Sequence, residues 1–453
     1  MNPKSDFHPE NVSQGQPRRG LILLGILAPL AGLGAGLVGA LFRLALEKAN
    51  GLRDALISGM TGWRVGGFVL FVALAAGAAA LAVWLVRRIA PSAAGSGIPR
   101  VMAVLDGEES PAPPVVTPVK FLAGTLAIGS GLALGREGPT VQMGASIAYQ
   151  IGKFFRQSWA NCRALLAAGA GAGFAVAFNA PIAGAVFVYE ALLKRVETRI
   201  AIAALAASAA AIWAGRAIFG SAPEYSVGHL TEPGLIKIPL FVGLGIVAGL
   251  VGVLYNRTLL GALKTTDRLP NLPAEWRAAI IGAIVGAIAW FAPALVGGGD
   301  EMAQQALNGV GTLALLPVLF LFRLGLIAVS VAAGTPGGLL VPFVALGAEL
   351  GLWFGLLCAF AFPGMALEPA GFALVGMAAI FTAIVRAPLT AIVLVTEMTA
   401  NVTLLLPMIV TCFVAMLVPT LFGDRSILDA LKARMLAHAR KTLPEVDQPN
   451  RHK

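Results

Sequence analysis

The sequence predicts an all-α protein that crosses a membrane many times, and three observations predict it. Of 453 residues, 57% are hydrophobic and only 12% charged, whereas a soluble domain carries roughly a quarter charged. Apolar runs at 20–42, 66–86, 238–255 and 315–333 are each long enough to cross a bilayer. Backbone polar groups need internal partners there, so the spans are helical. Thirdly, the glycine- and proline-interrupted segments of the first half return in the second, as a duplicated bundle requires.

Taken from the N-terminus, residues 1–19 form a polar leader. The run after it has no small-residue cleavage site behind it, so it reads as a retained span and not a signal peptide. Lys4, Arg18 and Arg19 at one end, and Lys432, Arg434, Arg440, Lys441, Arg451 and Lys453 at the other, place both termini in the cytoplasm by the positive-inside rule. A bacterial inner membrane is the expected location. The net charge of +10 follows from that rule, and no basic run is interleaved with aromatics in the manner of a base-stacking surface, which argues against nucleic acid as a partner. Cys162, Cys358 and Cys412 are far apart, and His8, His229, His438 and His452 lie in tails or a polar stretch. No metal spacing or disulfide framework results, and neither a cofactor nor histidine-based catalysis is expected.

The repeat is legible at two landmarks. FNAPIAGAVFVYE (178–190) resembles VRAPLTAIVLVTE (385–397), each with a glutamate nine residues after its proline; upstream, GPTVQMGA (138–145) matches VPFVALGA (341–348). The expected organisation is a membrane domain over 20–437 with halves at about 20–220 and 235–437, followed by a short cytoplasmic tail over 438–453. These landmarks leave open whether the halves are parallel or inverted. Duplicated bundles of transporters place their substrate where the repeats meet.

Three breaks interrupt the apolar pattern: GSGIP (95–99), GREGP (135–139) and GTPGGLLVP (334–342). Glycines permit unusual backbone angles and proline suits the first turn of a following helix. Each break therefore reads as a helix starting inside the protein, or, more blandly, as a tight loop. A helix start leaves its first N–H groups unpaired and carries about half a positive charge. Several such ends hold an anion by partial charges, firmly enough to admit it and weakly enough to release it. By contrast, GAGLVG (34–39) satisfies a dinucleotide fingerprint but lies within an apolar span with no strand before it, so it is discarded.

The order and spacing of GSGIP, GREGP and GGLLVP, with TPVKFLAG (117–124), FNAPIAG and RAPLTAIVLVTEMT, resemble the signature segments of the CLC family of chloride channels and chloride/proton exchangers, in its prokaryotic form without CBS domains. The resemblance implies an inverted-topology tandem repeat of tilted, broken helices, and a homodimer in the lipid bilayer with one pathway per subunit for chloride and similar small anions. Glu137 matches the family's gating glutamate, which occupies an anion site and leaves when protonated or displaced. Ser96, with Gly97 and Ile98, and the backbone amides of Leu339 and Leu340 match the central anion site. Arg136 and Lys120 would supply supporting positive potential, unless Arg136 merely neutralises Glu137, or Lys120 snorkels to the interface.

Chemistry supports the role of Glu137 independently of the resemblance. A carboxylate is an anion on a tether, so a site that stabilises chloride also stabilises it, and protonation removes the competitor. Intramembrane ionisable residues are functional by default.

Three positions depart from the family pattern. Leu340 replaces a phenylalanine. Leu428 stands where a tyrosine hydroxyl normally faces the central anion. Ala191 stands where exchangers commonly carry an inner proton-relay glutamate; Glu190, one residue earlier, is rotated by about 100° on a helix. The retained titratable gate favours chloride/proton antiport, with a passive or uncoupled chloride channel as the alternative. Ser96 in the first signature favours chloride over fluoride. Two remoter classes fit the sequence less well. A transporter of organic substrates would want paired polar groups that the breaks lack, and an intramembrane hydrolase using Ser96 would need a base within reach, which no apolar span supplies as histidine.

Overall fold

The computed structural model describes residues 18–268 and 272–442. Seventeen α-helices occupy these described residues. The first eight are α1 (Arg18–Met60), α2 (Arg64–Ile89), α3 (Ile98–Leu105), α4 (Val116–Gly129), α5 (Glu137–Phe154), α6 (Trp159–Phe178), α7 (Pro181–Phe187) and α8 (Thr198–Phe219). They are answered in order by α9 (Ile238–Asp267), α10 (Ala274–Phe291), α11 (Asp300–Leu307), α12 (Leu315–Ala332), α13 (Leu340–Ala361), α14 (Pro369–Val385), α15 (Pro388–Thr399) and α16 (Leu405–Leu421). A last helix, α17 (Ile427–Thr442), has no counterpart. Eight of the helices are long and apolar enough to cross a membrane, namely α1, α2, α6, α8, α9, α10, α12 and α13. The short α3 and α11 begin immediately after glycines in the left-handed region, Gly97 (φ 90°) and Gly299 (φ 96°), so the chain turns abruptly into a helix in the protein interior.

The halves grip each other through reciprocal contacts. The Gly135 N–H donates to the Gly338 carbonyl at 2.9 Å and the Gly338 N–H returns to the Gly135 carbonyl at 2.6 Å, an antiparallel bridge between the second and third breaks. The glutamates of the two repeated segments behave likewise. Glu190 accepts the N–H groups of Leu389 and Thr390 at the start of α15, at 2.9 and 2.6 Å. Glu397 accepts those of Ile182 and Ala183 at the start of α7, at 3.1 and 2.8 Å. Helix N-termini carry unpaired donors and positive potential, so each half caps a helix of the other. The exchange of equivalent contacts is that of two halves related by a pseudo-twofold axis, as the expected tandem repeat requires.

Packing between helices depends on small residues, as in other membrane bundles. Gly144 of α5 lies against the carbonyl of Gly169 on α6, and Gly347 of α13 lies against the carbonyl of Gly376 on α14. Although α6 is apolar enough to span, 94% of its apolar window is buried inside the protein, against 33% for α2 and α10. The former is therefore a core helix and the latter pair faces outward.

Several chain segments share the face on which α17 lies. Lys432 pairs with Asp106 and Glu108 beyond α3, Lys194 pairs with Asp429, and Arg434 pairs with Asp267 at the end of α9. The expected boundary at 437 falls inside α17, which continues to Thr442. The Asp267 carboxylate holds the second half of that helix through Arg434 at 2.6 Å and His438 at 3.4 Å. Of the leader, residues 1–17 lie outside the described residues, as do 443–453 of the tail.

The helix contact yields a prediction. A Cβ at Gly347 would come within 2.5 Å of the Gly376 carbonyl oxygen and 2.8 Å of Met377 Cα. Gly347→Leu is expected to destabilise the purified protein by about 3 kcal/mol, the upper end for overpacking. Gly25→Leu, at an exposed glycine with no atom within 4 Å of its Cβ position, should change stability by less than about 0.5 kcal/mol. Thermal unfolding in detergent checks both.

Candidate functional site

The three breaks converge on one point. The Glu137 carboxylate is fully buried, and its Oε1 accepts the backbone N–H of Leu340, the first residue of α13, at 2.5 Å. Its other oxygen, Oε2, has no hydrogen-bond partner, and neither has the buried Ser96 Oγ. A Cβ at Gly138 would come within 2.7 Å of that Ser96 oxygen and 3.0 Å of Gly338 Cα. Serine, glutamate and the third break therefore meet within a few ångströms.

The bridge between the breaks explains the glycines there. A Cβ at Gly135 or at Gly338 would collide with the Glu137 carboxylate, so the side chain can lie against the N-terminus of α13 only because both flanking residues lack one. Such an end is an anion site without any full charge. Leu340 is completely buried and contributes its amide, so the loss of the family's phenylalanine leaves that donor intact. Gly97 and Leu339, together with Ser96, line a cavity of about 330 Å³ that leads from the breaks toward α17. Ile98 is buried in the first turn of α3.

Other sequence-derived candidates serve the site from a distance. Arg136 does not pair with Glu137: its Nε donates to the Ala177 carbonyl at 2.8 Å and its Nη2 to Glu224. Glu224, in the α8–α9 connection, also accepts from Arg43 at 2.8 Å. Burial opposes its charge, but Arg136 and Arg43 outweigh that cost and hold the carboxyl below the ordinary range. Lys120 does not snorkel either. It is wholly buried, and its Nζ donates to the carbonyls of Ala93 at 2.9 Å and Gly95 at 2.6 Å, fixing the loop that carries Ser96. Ala191 lies buried in a π-helical turn after α7, and Leu428 is buried in the first turn of α17.

Sequence reasoning missed three residues. Arg323 is the counterpart of Lys120, fully buried, with its guanidinium on the carbonyls of Leu295 at 3.2 Å and Gly297 at 2.6 Å. Its offset from Lys120 equals that between Gly135 and Gly338, a signal that extending the repeat would have found. Gln142 reaches back to the Ser92 carbonyl at 2.8 Å and braces the first break. Glu224 carries no such signal, since its partner Arg136 is 88 residues away.

Comparison with known proteins agrees with this arrangement. A family model described as voltage gated chloride channel matches residues 77–420. The chain is 36% identical to the H(+)/Cl(−) exchange transporter ClcA of Vibrio parahaemolyticus, over 93% of this chain and 92% of that protein. It is 37% identical to the ClcA of Cronobacter sakazakii, over 91% of this chain and 90% of that one. Among solved structures it resembles a slow cyanobacterial Cl−/H+ antiporter, with a TM-score of 0.88 and 33% identity over 94% of this chain and 100% of that one. With repeat, breaks and relatives in agreement along nearly its whole length, the chain belongs to the voltage gated chloride channel family, the CLC proteins.

Proposed function

We propose that this protein carries chloride and similar small anions across the membrane in exchange for protons, with Glu137 as the group on which both act. The observation that supports it most is the Glu137 carboxylate on the Leu340 amide, beside the unpartnered Ser96 hydroxyl. Chloride presents the same demand to this site as the carboxylate, a concentrated negative charge to be met by N–H and O–H donors. The two compete, and a proton taken up by Glu137 hands the site to the anion. In this reading Ser96, Gly97, Ile98, Leu339 and Leu340 surround the anion, while Arg136 and Lys120 act through potential and through the loops they hold. The names of the relatives, an H(+)/Cl(−) exchange transporter and a Cl−/H+ antiporter, favour exchange over passive conduction.

The α17 face is the cytoplasmic one in this proposal, which puts both termini inside a bacterial inner membrane. Basic residues crowd the connections that reach that face, including Arg87, Arg88, Lys153, Arg163, Lys194 and Lys264. The working unit is a homodimer, the membrane domain spans 20–437 with halves at about 20–220 and 235–437, and residues 438–453 form a cytoplasmic tail. Ala191 offers no proton acceptor at the inner end, and Glu190 is committed to capping α15. Protons then reach Glu137 along water in the cavity on the α17 side. Leu428 gives the central anion one hydroxyl donor fewer, so chloride is held more weakly and distinguished less sharply from bromide or nitrate.

Purified protein in liposomes tests this directly. A chloride gradient should drive protons uphill in the wild type, recorded as a change of internal pH. In Glu137→Ala that movement should fall to the level of empty liposomes while chloride still flows. Chloride flux without proton movement in the wild type would make the pathway passive.

The Glu224 pair makes a second prediction, with a definite sign. A carboxyl held low in the folded state stabilises the protein fully above its unfolded value and loses that contribution as pH falls through the folded one. Glu224→Gln should therefore lower stability at neutral pH by about 3 kcal/mol, the cost of stripping a partner from a largely buried pair. The gap from wild type should close below about pH 4, as thermal unfolding across pH would report.

A further inference from the structure

We propose that the cavity leading from the breaks to α17 also binds a multivalent oxyanion of the phosphate class, which plugs the pathway from that side. The proposal builds on the anion-transport reading, because Ser96 and Leu339 are among the residues that line the cavity. Its walls bring together Arg100 of α3, Arg277 of α10 and Arg434 and His438 of α17, with Asp267 as the carboxylate among them.

The pairing pattern leaves positive charge facing the space. Asp267 is taken by Arg434 at 2.6 Å, with His438 at 3.4 Å from the same oxygen, and Arg100 is taken by Glu109 at 2.6 Å. The Arg277 side chain has neither a hydrogen bond nor an ion pair among the described residues, and its Nε is buried without a partner. Its guanidinium lies 3.6 Å from the Cβ position of Gly334, the glycine that opens the third break. A second unsatisfied group points the same way: Thr335 is 4% exposed, lines the cavity, and its Oγ1 has no partner. An unpaired guanidinium fork and a hydroxyl, set beside two further arginines, suit an oxyanion with several acceptor oxygens.

Size separates this ligand from the transported ion. The cavity of about 330 Å³ falls in the range of small-molecule sites, about 300–1,000 Å³, and is far larger than one halide. Beyond Ser96 and Leu339, the Glu137 carboxylate, which gives way to chloride in the transport reading, lies on the Leu340 amide against Gly135 and Gly338. A pyrophosphate-sized anion needs more room than that carboxylate leaves, and its extra charges strengthen its hold on the arginines.

The test uses pyrophosphate and the full-length protein in two measurements. In liposomes at fixed ionic strength, pyrophosphate on both sides should slow chloride efflux of the wild type several-fold at low millimolar concentration. Arg277→Gln should need roughly tenfold more for half-block, relative to its own unblocked rate, as expected for loss of a charge-assisted fork. Arg277→Lys, which keeps charge without the fork, should fall between them. Calorimetric titration of pyrophosphate into detergent-purified protein needs no flux, and should give binding that weakens in the same order. Equal block or equal binding in wild type and Arg277→Gln, or none in either, would overturn the site. Absent chloride flux before any pyrophosphate is added, with binding intact, would instead remove the transport reading and the plugging role while leaving the ligand site standing.

Discussion

The structure depends on one contact, the Glu137 carboxylate held on the Leu340 amide at the start of α13. It joins a side chain of the first half to a backbone amide of the second, so the two halves must interleave for it to exist. It also dictates local sequence. Gly135 and Gly338 must lack a Cβ where the carboxylate lies, and the chain must break its helices near the middle of the protein to present unpaired N–H groups. A lysine in the same place would bind an anion with full charge. Partial charges from helix ends let the ion come and go.

Broken helices inside a membrane protein create a second problem, namely carbonyl and amide groups without intrahelical partners. The two halves meet it with matched devices. Lys120 and Arg323, both wholly buried, each donate to carbonyls of the loop before a short helix, at 2.6 Å for the shorter bond in each case. Glu190 and Glu397 each cap a helix of the opposite half. Neither pair needs to touch the transported ion. Their charge is directed at backbone carbonyls and amides, which keeps the breaks in shape and, in the proposed function, leaves Glu137 as the one full charge at the anion site. On the opposite side of the break, Arg136 is tied to Glu224 and Ala177, so it stands next to Glu137 without pairing with it.

How much of this could be read from sequence follows the range of the interactions. Long apolar runs, the two Ala-Pro segments and the glycine-proline breaks are local signals, and they yielded the all-α class, the duplication and the position of Glu137. The meeting of Ser96, Glu137 and Leu340 was legible only through resemblance to a family, since nothing in the spacing of 96, 137 and 340 brings them together. For Lys120 the sequence left two readings open, supporting potential or an interface residue, because its carbonyl partners lie 25 and 27 residues earlier in a bent loop. Glu224 was passed over because a glutamate in a polar connection is ordinarily solvated.

The claim that the carboxylate and the transported ion share one site is tested most directly by crystals grown in bromide, comparing wild type with Glu137→Gln by anomalous scattering. The account predicts a bromide peak beside the Leu340 amide in the variant, where the wild type holds its carboxylate and shows no peak. A variant that leaves this position empty of bromide, with the glutamine displaced from it, would contradict the shared site.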